Sequence, residues 1–453
     1  MRGRALILLL LLLGSGFSGC LGIGATGKDA PTGIVGNEAA RSPVWEKLRD
    51  QLANVPCTVN AVSSTQTSAN LKELSSFRPP VSILGPALMG ELDVQHNRSA
   101  IAHYNQVGFS WINNTDPAQP KYQGSPLVLL GSGNILTTQY YPTPASYDVK
   151  ISHDGTLVFL GLSDRILTFD ATPQFPRYNF QTFQLMHPPN YRGQAHMLAT
   201  QVINHVEYVF AVPSTSGAGV LVAKVQGSGY QGRLELVTVY QSPTPTAGTQ
   251  LLAPHDMFFR VEPVNGANST FLYLANGFGG IVVLNVDDPL KPVTVASIPA
   301  GAGELPASAA PSYYHSIQAA TIGGKRIVVT SAELGYNTLK VWDFTDFRAP
   351  KLLGQWLFDA GQPGKPQHNI QIVNGTLFLA HYTEGLFGFD LSVFLNNTRA
   401  GLKPALHFQP TGGQTWDIVV EDGILYLSDI SQGLQALGYG CFAPGDARLT
   451  SGG

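Results

Sequence analysis

Charge is scarce in this chain. Of its 453 residues only 13% are Asp, Glu, Lys or Arg, and 27 basic against 30 acidic residues leave a formal net charge of −3. No stretch concentrates Lys or Arg, which argues against a nucleic-acid partner, whose backbone demands a dense basic surface. Cysteine is scarcer still, with three residues, so a disulfide-dense scaffold is excluded. No CxxC pair, HExxH helix or phosphate-cradling Gly-Lys loop occurs. The runs GSGNI and QGSGY lack the strand-to-helix context of a nucleophile elbow. Beyond the first twenty residues, no segment approaches the roughly eighteen apolar residues of a membrane-spanning helix.

What the chain has is a repeated unit. A His or Asp precedes an apolar stretch, a turn follows, then a strand ending near Tyr or Phe, a Gly, and an alternating strand closing on Asp-Pro. Copies run from His255 (FLYLANGFGGIVVLNVDDPLKPVTVASI), His315 (RIVVTSAELGYNTLKVWDFTDFRAPKLLGQW) and His368 (HNIQIVNGTLFLAHYTEGLFGFDLS). Unit starts at Asp148, His196, His255, His315, His368 and Asp417 are 48, 59, 60, 53 and 49 residues apart. Apolar residues recur with period two, as in Phe271, Tyr273 and Ala275, between Gly, Asn and Asp turns, which predicts short strands. Each unit is too small to bury its apolar faces except against its neighbours. Four-stranded sheets repeated radially make an all-β propeller. Seven blades are expected; the irregular stretches 125–145 and 213–250 leave six or eight open.

The ends are suited to meet. The last unit, TWDIVVEDGILYLSDISQGLQALGYG, supplies three strands, and FRPPVSILG (77–85) resembles the outer strands FRAPKLLG and DPLKPVTVASI. Strand 80–85 is therefore expected to pair with the 414–440 unit and close the ring, removing the last free edge. The propeller is expected over 77–441, after a tether and arm over 20–76 with a short helix in VWEKLRDQLA, and before a tail over 442–453.

The segments LYLANGFGGIVVLNVDDPLKP, LKVWDFTDFRAPKLLG and LFLAHYTEGLFGFDLS resemble the repeats of the LVIVD family of β-propellers. The likeness covers residues 77–440 and is strongest over 252–440. In the second and third units SDRILTFDATPQFPRY lacks the Gly and AGVLVAKVQGSGYQGR lacks the Asp-Pro turn. The resemblance implies fold and little about activity, because function on a propeller lives in its loops and axis.

The opening MRGRALILLLLLLGSGFSGC reads as a secretory signal over 1–19, with Arg2 and Arg4 before a short apolar run. Its end, Phe-Ser-Gly-Cys, resembles a bacterial lipobox, with Phe17 where Leu is usual, and marks Cys20 for lipidation. The alternative is an odd cysteine beside an ordinary cleavage site. Lipidation of Cys20 leaves Cys57 and Cys441 as a pair just outside the two ends of the ring, where a disulfide is expected; two buried thiols are the alternative. These features imply an extracytoplasmic, membrane-anchored lipoprotein or a secreted protein, with a protein or carbohydrate partner for the propeller face.

Four unit starts are histidines: His196, His255, His315 and His368. If they precede the innermost strands of successive blades, their imidazoles converge on one mouth of the central channel and suit a first-row transition metal. The competing reading gives each the same local hydrogen bond to a neighbouring blade, with Asp148 and Asp417 in the equivalent role. Asp256, Asn369 and His381 are further polar candidates, and Trp342, Trp356 and Trp416 read as blade-packing aromatics. Two functions follow: a non-enzymatic binding scaffold, or a metal-dependent enzyme of redox or oxygenase type using the axial histidines.

Overall fold

A computed structural model of the chain describes residues 68, 71–80, 87–126, 146–162, 165–184, 195–213, 219–241, 253–264, 266–302, 312–334, 337–358, 365–396, 402–410 and 412–440. Strand β1 (Leu71–Phe77) comes first. The first full blade follows as β2 (Met89–Gln95), β3 (Arg98–His103), β4 (Phe109–Asn113) and β5 (Lys121–Gly124). Blade 2 is β6 (Asp148–Ile151), β7 (Leu157–Gly161), β8 (Arg165–Asp170) and β9 (Arg177–Gln184); blade 3 is β10 (Met197–Ile203), β11 (Val206–Val212), β12 (Val220–Gln226) and β13 (Arg233–Tyr240). Blade 4 is β14 (Asp256–Val264), β15 (Ala267–Ala275), β16 (Ile281–Asn285) and β17 (Val293–Ile298); blade 5 is β18 (Tyr313–Ile322), β19 (Lys325–Leu334), β20 (Leu339–Asp343) and β21 (Lys351–Trp356). Blade 6 is β22 (Ile370–Val373), β23 (Thr376–Ala380), β24 (Leu386–Asp390) and β25 (Pro404–Phe408), and blade 7 begins with β26 (Thr415–Glu421), β27 (Ile424–Asp429) and β28 (Gly433–Tyr439).

Each blade is a four-stranded antiparallel meander, and the seventh is completed by β1, in the order β1-β28-β27-β26. The ring is therefore a seven-bladed propeller closed by an N-terminal strand, as expected, but the closing strand differs. Leu71 pairs with Tyr439 and Phe77 with Leu434, so the strand lies upstream of 80–85 and ends where FRPPVSILG begins. The two prolines in that motif explain the shift. Proline lacks the N–H a ladder needs, whereas LKELSSF carries a donor at every residue. Position 80 lies beyond the strand, and 81–85 fall outside the described residues.

The core is seven layers, one between each pair of adjacent blades. In β15, Leu272 and Leu274 join a cluster with blade 3, while Phe271, Tyr273 and Ala275 join one with blade 5. Period-two alternation thus splits an apolar strand between two interfaces rather than between core and solvent. The last layer packs Leu92, Val94 and Ile112 of blade 1 against Val419, Tyr426 and Leu434 of blade 7. At such sites Leu→Ala costs about 2–5 kcal/mol.

The glycine of the repeat has a steric cause. Gly280 and Gly385 have φ of +94° and +83°, and a Cβ on them would stand 2.0 Å from the carbonyl of Ile298 and 2.1 Å from that of Phe408. The turn into the third strand passes directly over the end of the fourth, and only glycine fits there. At the other end of several blades the Asp-rich motif makes Asx turns, as where the Thr345 amide donates to Asp343 and the Arg348 amide to Asp346.

Candidate functional site on the propeller axis

The seven innermost strands, β2, β6, β10, β14, β18, β22 and β26, contact one another in a closed circle. They are tied by side chains that bond the next blade's backbone. Asp417 accepts from the Leu92 amide (2.8 Å), Asp148 from Leu198 (2.7 Å) and Asp256 from Ile317 (3.2 Å). One step deeper, Asp93 accepts from Ile151 (2.7 Å) and Gln371 from Val420 (2.5 Å).

These ties fix the equivalence of positions around the axis. The residue two before the tied amide is Gly90, His196 and His315 in blades 1, 3 and 5. An amide bonded to the second strand marks the same place at Tyr147, His196, His255 and His368. Ring contacts join the six positions other than Gly90: Tyr147 to His196 at 5.2 Å, His196 to His255 at 4.8 Å, His255 to His315 at 4.3 Å, His315 to His368 at 4.2 Å and His368 to Trp416 at 4.3 Å between centroids. The four predicted histidines are thus brought together as one arc of neighbouring rings, all buried. Their expected equivalents Asp148 and Asp417 stand one residue too late. Tyr147 and Trp416 hold the ring positions, and the two aspartates belong with Asp256 in the tier of interblade ties. The inner strands are irregular at this point, with register shifts between Met89 and Leu92, Tyr314 and Ile317, and Thr415 and Asp417. Two consecutive residues therefore contribute to the axis, and matching by polarity selects the wrong one.

Two of the imidazoles have an assigned tautomer. His255 Nδ1 lies 3.2 Å from the carbonyl oxygen of His315, and His368 Nδ1 lies 2.7 Å from that of Trp416. A carbonyl only accepts, so Nδ1 carries the proton in both rings and the Nε2 lone pair remains. Both Nε2 atoms are buried without a hydrogen-bond partner. Burial pushes His255 down to about 3, and the same cause, with the neighbouring histidines, holds His196 and His368 well below the usual range. The rings of His196, His255 and His368 are therefore held in the neutral form, which is the form that ligates a metal.

An acid joins them. Glu333, near the end of β19, places Oε2 3.6 Å from His315 Nε2. Donor atoms of His255, His315 and Glu333 all lie within 4.8 Å of one another. Ligands in a tetrahedral site with bonds of about 2.1 Å stand roughly 3.4 Å apart, so small side-chain rotations bring this set to an ion. The phenol of Tyr382 donates to Glu333 Oε1. Sequence reasoning missed Glu333 because it sits on a second strand, outside the unit starts. An acidic residue closing the apolar run RIVVTSAEL was the signal available.

Beside the ring lies a tier of buried carboxyls. Glu91 accepts from Trp416 Nε1 at 2.8 Å and from Asn369 Nδ2 at 3.4 Å. Burial, with the nearby Asp417 and Asp148 carboxylates, pushes Glu91 well above the usual carboxyl range; burial raises Asp417 to about 8 and Asp148 to about 6. Burial likewise holds Asp256 well above its usual value. Lys150 Nζ meets Asp148 Oδ1 at 2.6 Å. Burial works against its ammonium, but Asp148, Asp93 and Glu91 outweigh that and raise it.

Other candidates lie elsewhere. His381 packs against Trp356, Phe358 and Phe387, off the axial ring, and burial depresses it to about 4. Trp342 and Trp356 pack between blades 4 and 5 and between blades 5 and 6 as expected, whereas Trp416 belongs to the axial ring. Cys20, Cys57 and Cys441 fall outside the described residues. No helix among the described residues is long and apolar enough to cross a membrane.

No protein-family model matches the sequence, and no curated protein matches it. Among solved structures the chain is similar to catalytically inactive virginiamycin B lyase from Staphylococcus aureus with quinupristin, at TM-score 0.49 and 12% identity over 81% of this chain and 98% of that one. A chain of the mitotic checkpoint complex gives TM-score 0.49 and 12% identity over 85% and 94%. The computationally designed Ika8 protein gives 0.42 and 13% over 81% and 99%. No activity or residue role is carried over from them.

Proposed function

We propose that this protein is an extracytoplasmic, lipid-anchored propeller of LVIVD-like type that holds a first-row transition metal on its axis. The observation that carries the reading is the single hydrogen bond made by the His255 ring. Its Nδ1–H is committed to a backbone carbonyl, so a buried, neutral Nε2 lone pair is left beside His315 and Glu333. Metal-binding histidines are commonly oriented in this way, by a carbonyl or carboxylate that holds the other ring nitrogen. His368 repeats the arrangement one blade on, and its ring stands next to that of His315. A two-histidine, one-carboxylate set leaves coordination positions for His368, His196 or an exogenous ligand, and the bound ion would supply Lewis-acid or redox chemistry.

Metal analysis of protein purified without chelators tests this, beside a His255→Ala/His315→Ala variant. About one ion per parent chain and none in the variant is the expected result; metal-free parent that also takes up no added Zn(II), Co(II) or Cu(II) overturns it.

A scaffold role has its own support. The sequence separation from a blade's last strand to the next inner strand is large, as over 125–147, 241–255 and 357–369, whereas the opposite ends of inner strands close in short turns such as 204–205 and 374–375. Loop-rich ends are where propellers present binding surfaces, and a protein or carbohydrate partner would dock there. Anchoring is tested separately: Cys20→Ser should move the protein from the membrane fraction to the soluble extracytoplasmic fraction, and retention in the membrane contradicts the lipid anchor.

A further inference from the structure

Tyr382 occupies a position whose backbone disfavours it. Its φ is +42°, in the left-handed region, and it is bulky and not a glycine. The sister position in blade 4 is Gly277, with φ +52°. The two are equivalent by their bonds: Gly277 forms an isolated bridge with Tyr314, and Tyr382 forms one with Thr415, each reaching the residue before the next blade's ring position. Blade 6 therefore places a tyrosine where blade 4 places glycine.

The side chain shows what that conformation achieves. Bonds of 3.0 Å in both directions with Thr415 hold the Tyr382 backbone against blade 7. Its ring meets His368 at 5.0 Å and Trp416 at 5.5 Å. From there the phenol reaches back to blade 5 and donates to Glu333 Oε1, while Glu333 Oε2 faces His315. One residue thus links three blades and orients the only carboxylate in the His255–His315–Glu333 set. Strained backbone retained at such a point indicates a functional demand.

We infer that Tyr382 is a positioning residue of the axial metal site, holding Glu333 by one oxygen so that the other is presented to the ion. This rests on the metal-holding reading above. A phenol bonded to a ligating carboxylate acts as the outer-shell partners of metal sites do, and loss of such a partner typically weakens binding about 10- to 100-fold.

The test is titration of the full chain with Co(II), followed by the visible absorption of the bound ion, for the parent, Tyr382→Phe, Glu333→Gln and the double variant. The parent should bind one ion. Tyr382→Phe, which keeps the ring and its backbone, should reach the same stoichiometry with affinity lowered about 10- to 100-fold and a shifted spectrum. In the Glu333→Gln background the same change should alter affinity by less than about twofold, because the effect passes through Glu333. Tyr382→Gly, which restores the residue of the sister blade and relieves the backbone, should lose affinity as Tyr382→Phe does without a matching fall in melting temperature. Parent-like affinity and spectrum in Tyr382→Phe, or an equal loss in both backgrounds, overturns the positioning role. A parent that binds no Co(II) overturns the metal reading itself.

Discussion

His255 and His315 are joined twice: the Nδ1–H of His255 meets the His315 carbonyl oxygen at 3.2 Å, and their rings lie 4.3 Å apart between centroids. The first contact is a structural tie between blades 4 and 5. The second sets two buried imidazoles side by side. Asparagine separates the two roles, because its amide can mimic Nδ1–H and offers nothing in place of Nε2. His255→Asn should melt within about 1 kcal/mol of the parent, the net worth of an ordinary hydrogen bond, yet lose the rise in melting temperature produced by Zn(II). Thermal melts with and without Zn(II) decide this; an undiminished metal-induced rise would remove His255 from the ligand set.

Breaking the Asp148–Lys150 pair should cost more stability than removing both partners. Asp148 takes the Lys150 ammonium and the Val149 and Leu198 amides in a fully buried setting. Asp148→Ala strands a buried ammonium and should destabilise by about 3–5 kcal/mol. Adding Lys150→Met should recover a substantial part of it. Denaturant unfolding of both single variants and the double variant measures the coupling, and simple additivity would contradict it.

Asp417 sets a pH dependence whose sign can be worked out. Burial raises it to about 8 in the folded protein, against about 3.9 in an unfolded chain. Between those values the folded state holds the extra proton, so this contribution to stability is complete below about pH 4 and is lost as pH rises to about 8, at up to about 1.4 kcal/mol per unit. The depressed histidines act oppositely, losing stability as pH falls below their ordinary value. Asp417→Asn does not titrate and leaves the histidines in place. The melting temperature of Asp417→Asn minus that of the parent should therefore increase from pH 5 to pH 8; a flat difference would contradict a protonated Asp417.

Ring closure has a direct test in β1. Without it, β28 presents an unpaired edge and Leu71 leaves the cluster it shares with Phe378, Leu437 and Tyr439. A chain shortened to begin at Pro79 should melt lower by more than about 5 °C and self-associate through the open edge. Unchanged melting and a monomeric elution profile would show that β1 is dispensable.

Much of this architecture was legible in the sequence, because blade repetition leaves period-two strands and Asx turns that do not depend on distant contacts. His196, His255, His315 and His368 were found because each opens a unit. Tyr147 and Trp416 were missed as their equivalents because local register shifts in the inner strands let either of two adjacent residues reach the axis, and polarity favoured Asp148 and Asp417. Glu333 was hidden for a different reason: it meets His315 from the neighbouring strand of the same blade, where register shifts between β18 and β19 set which side chains face each other, and spacing along the unit does not encode those shifts. The closing strand was misplaced because FRPPVSILG resembles other outer strands in composition, while the ladder prefers LKELSSF, which has every amide available.

Anomalous scattering from crystals grown or soaked with Zn(II) or Co(II), recorded across the absorption edge of the ion, tests the axial metal site most directly. The account predicts one strong peak within about 2.0–2.2 Å of His255 Nε2, a ring nitrogen of His315 and a carboxylate oxygen of Glu333. A map with no peak on the axis, or with metal only at exposed histidines such as His96 or His205, would contradict it.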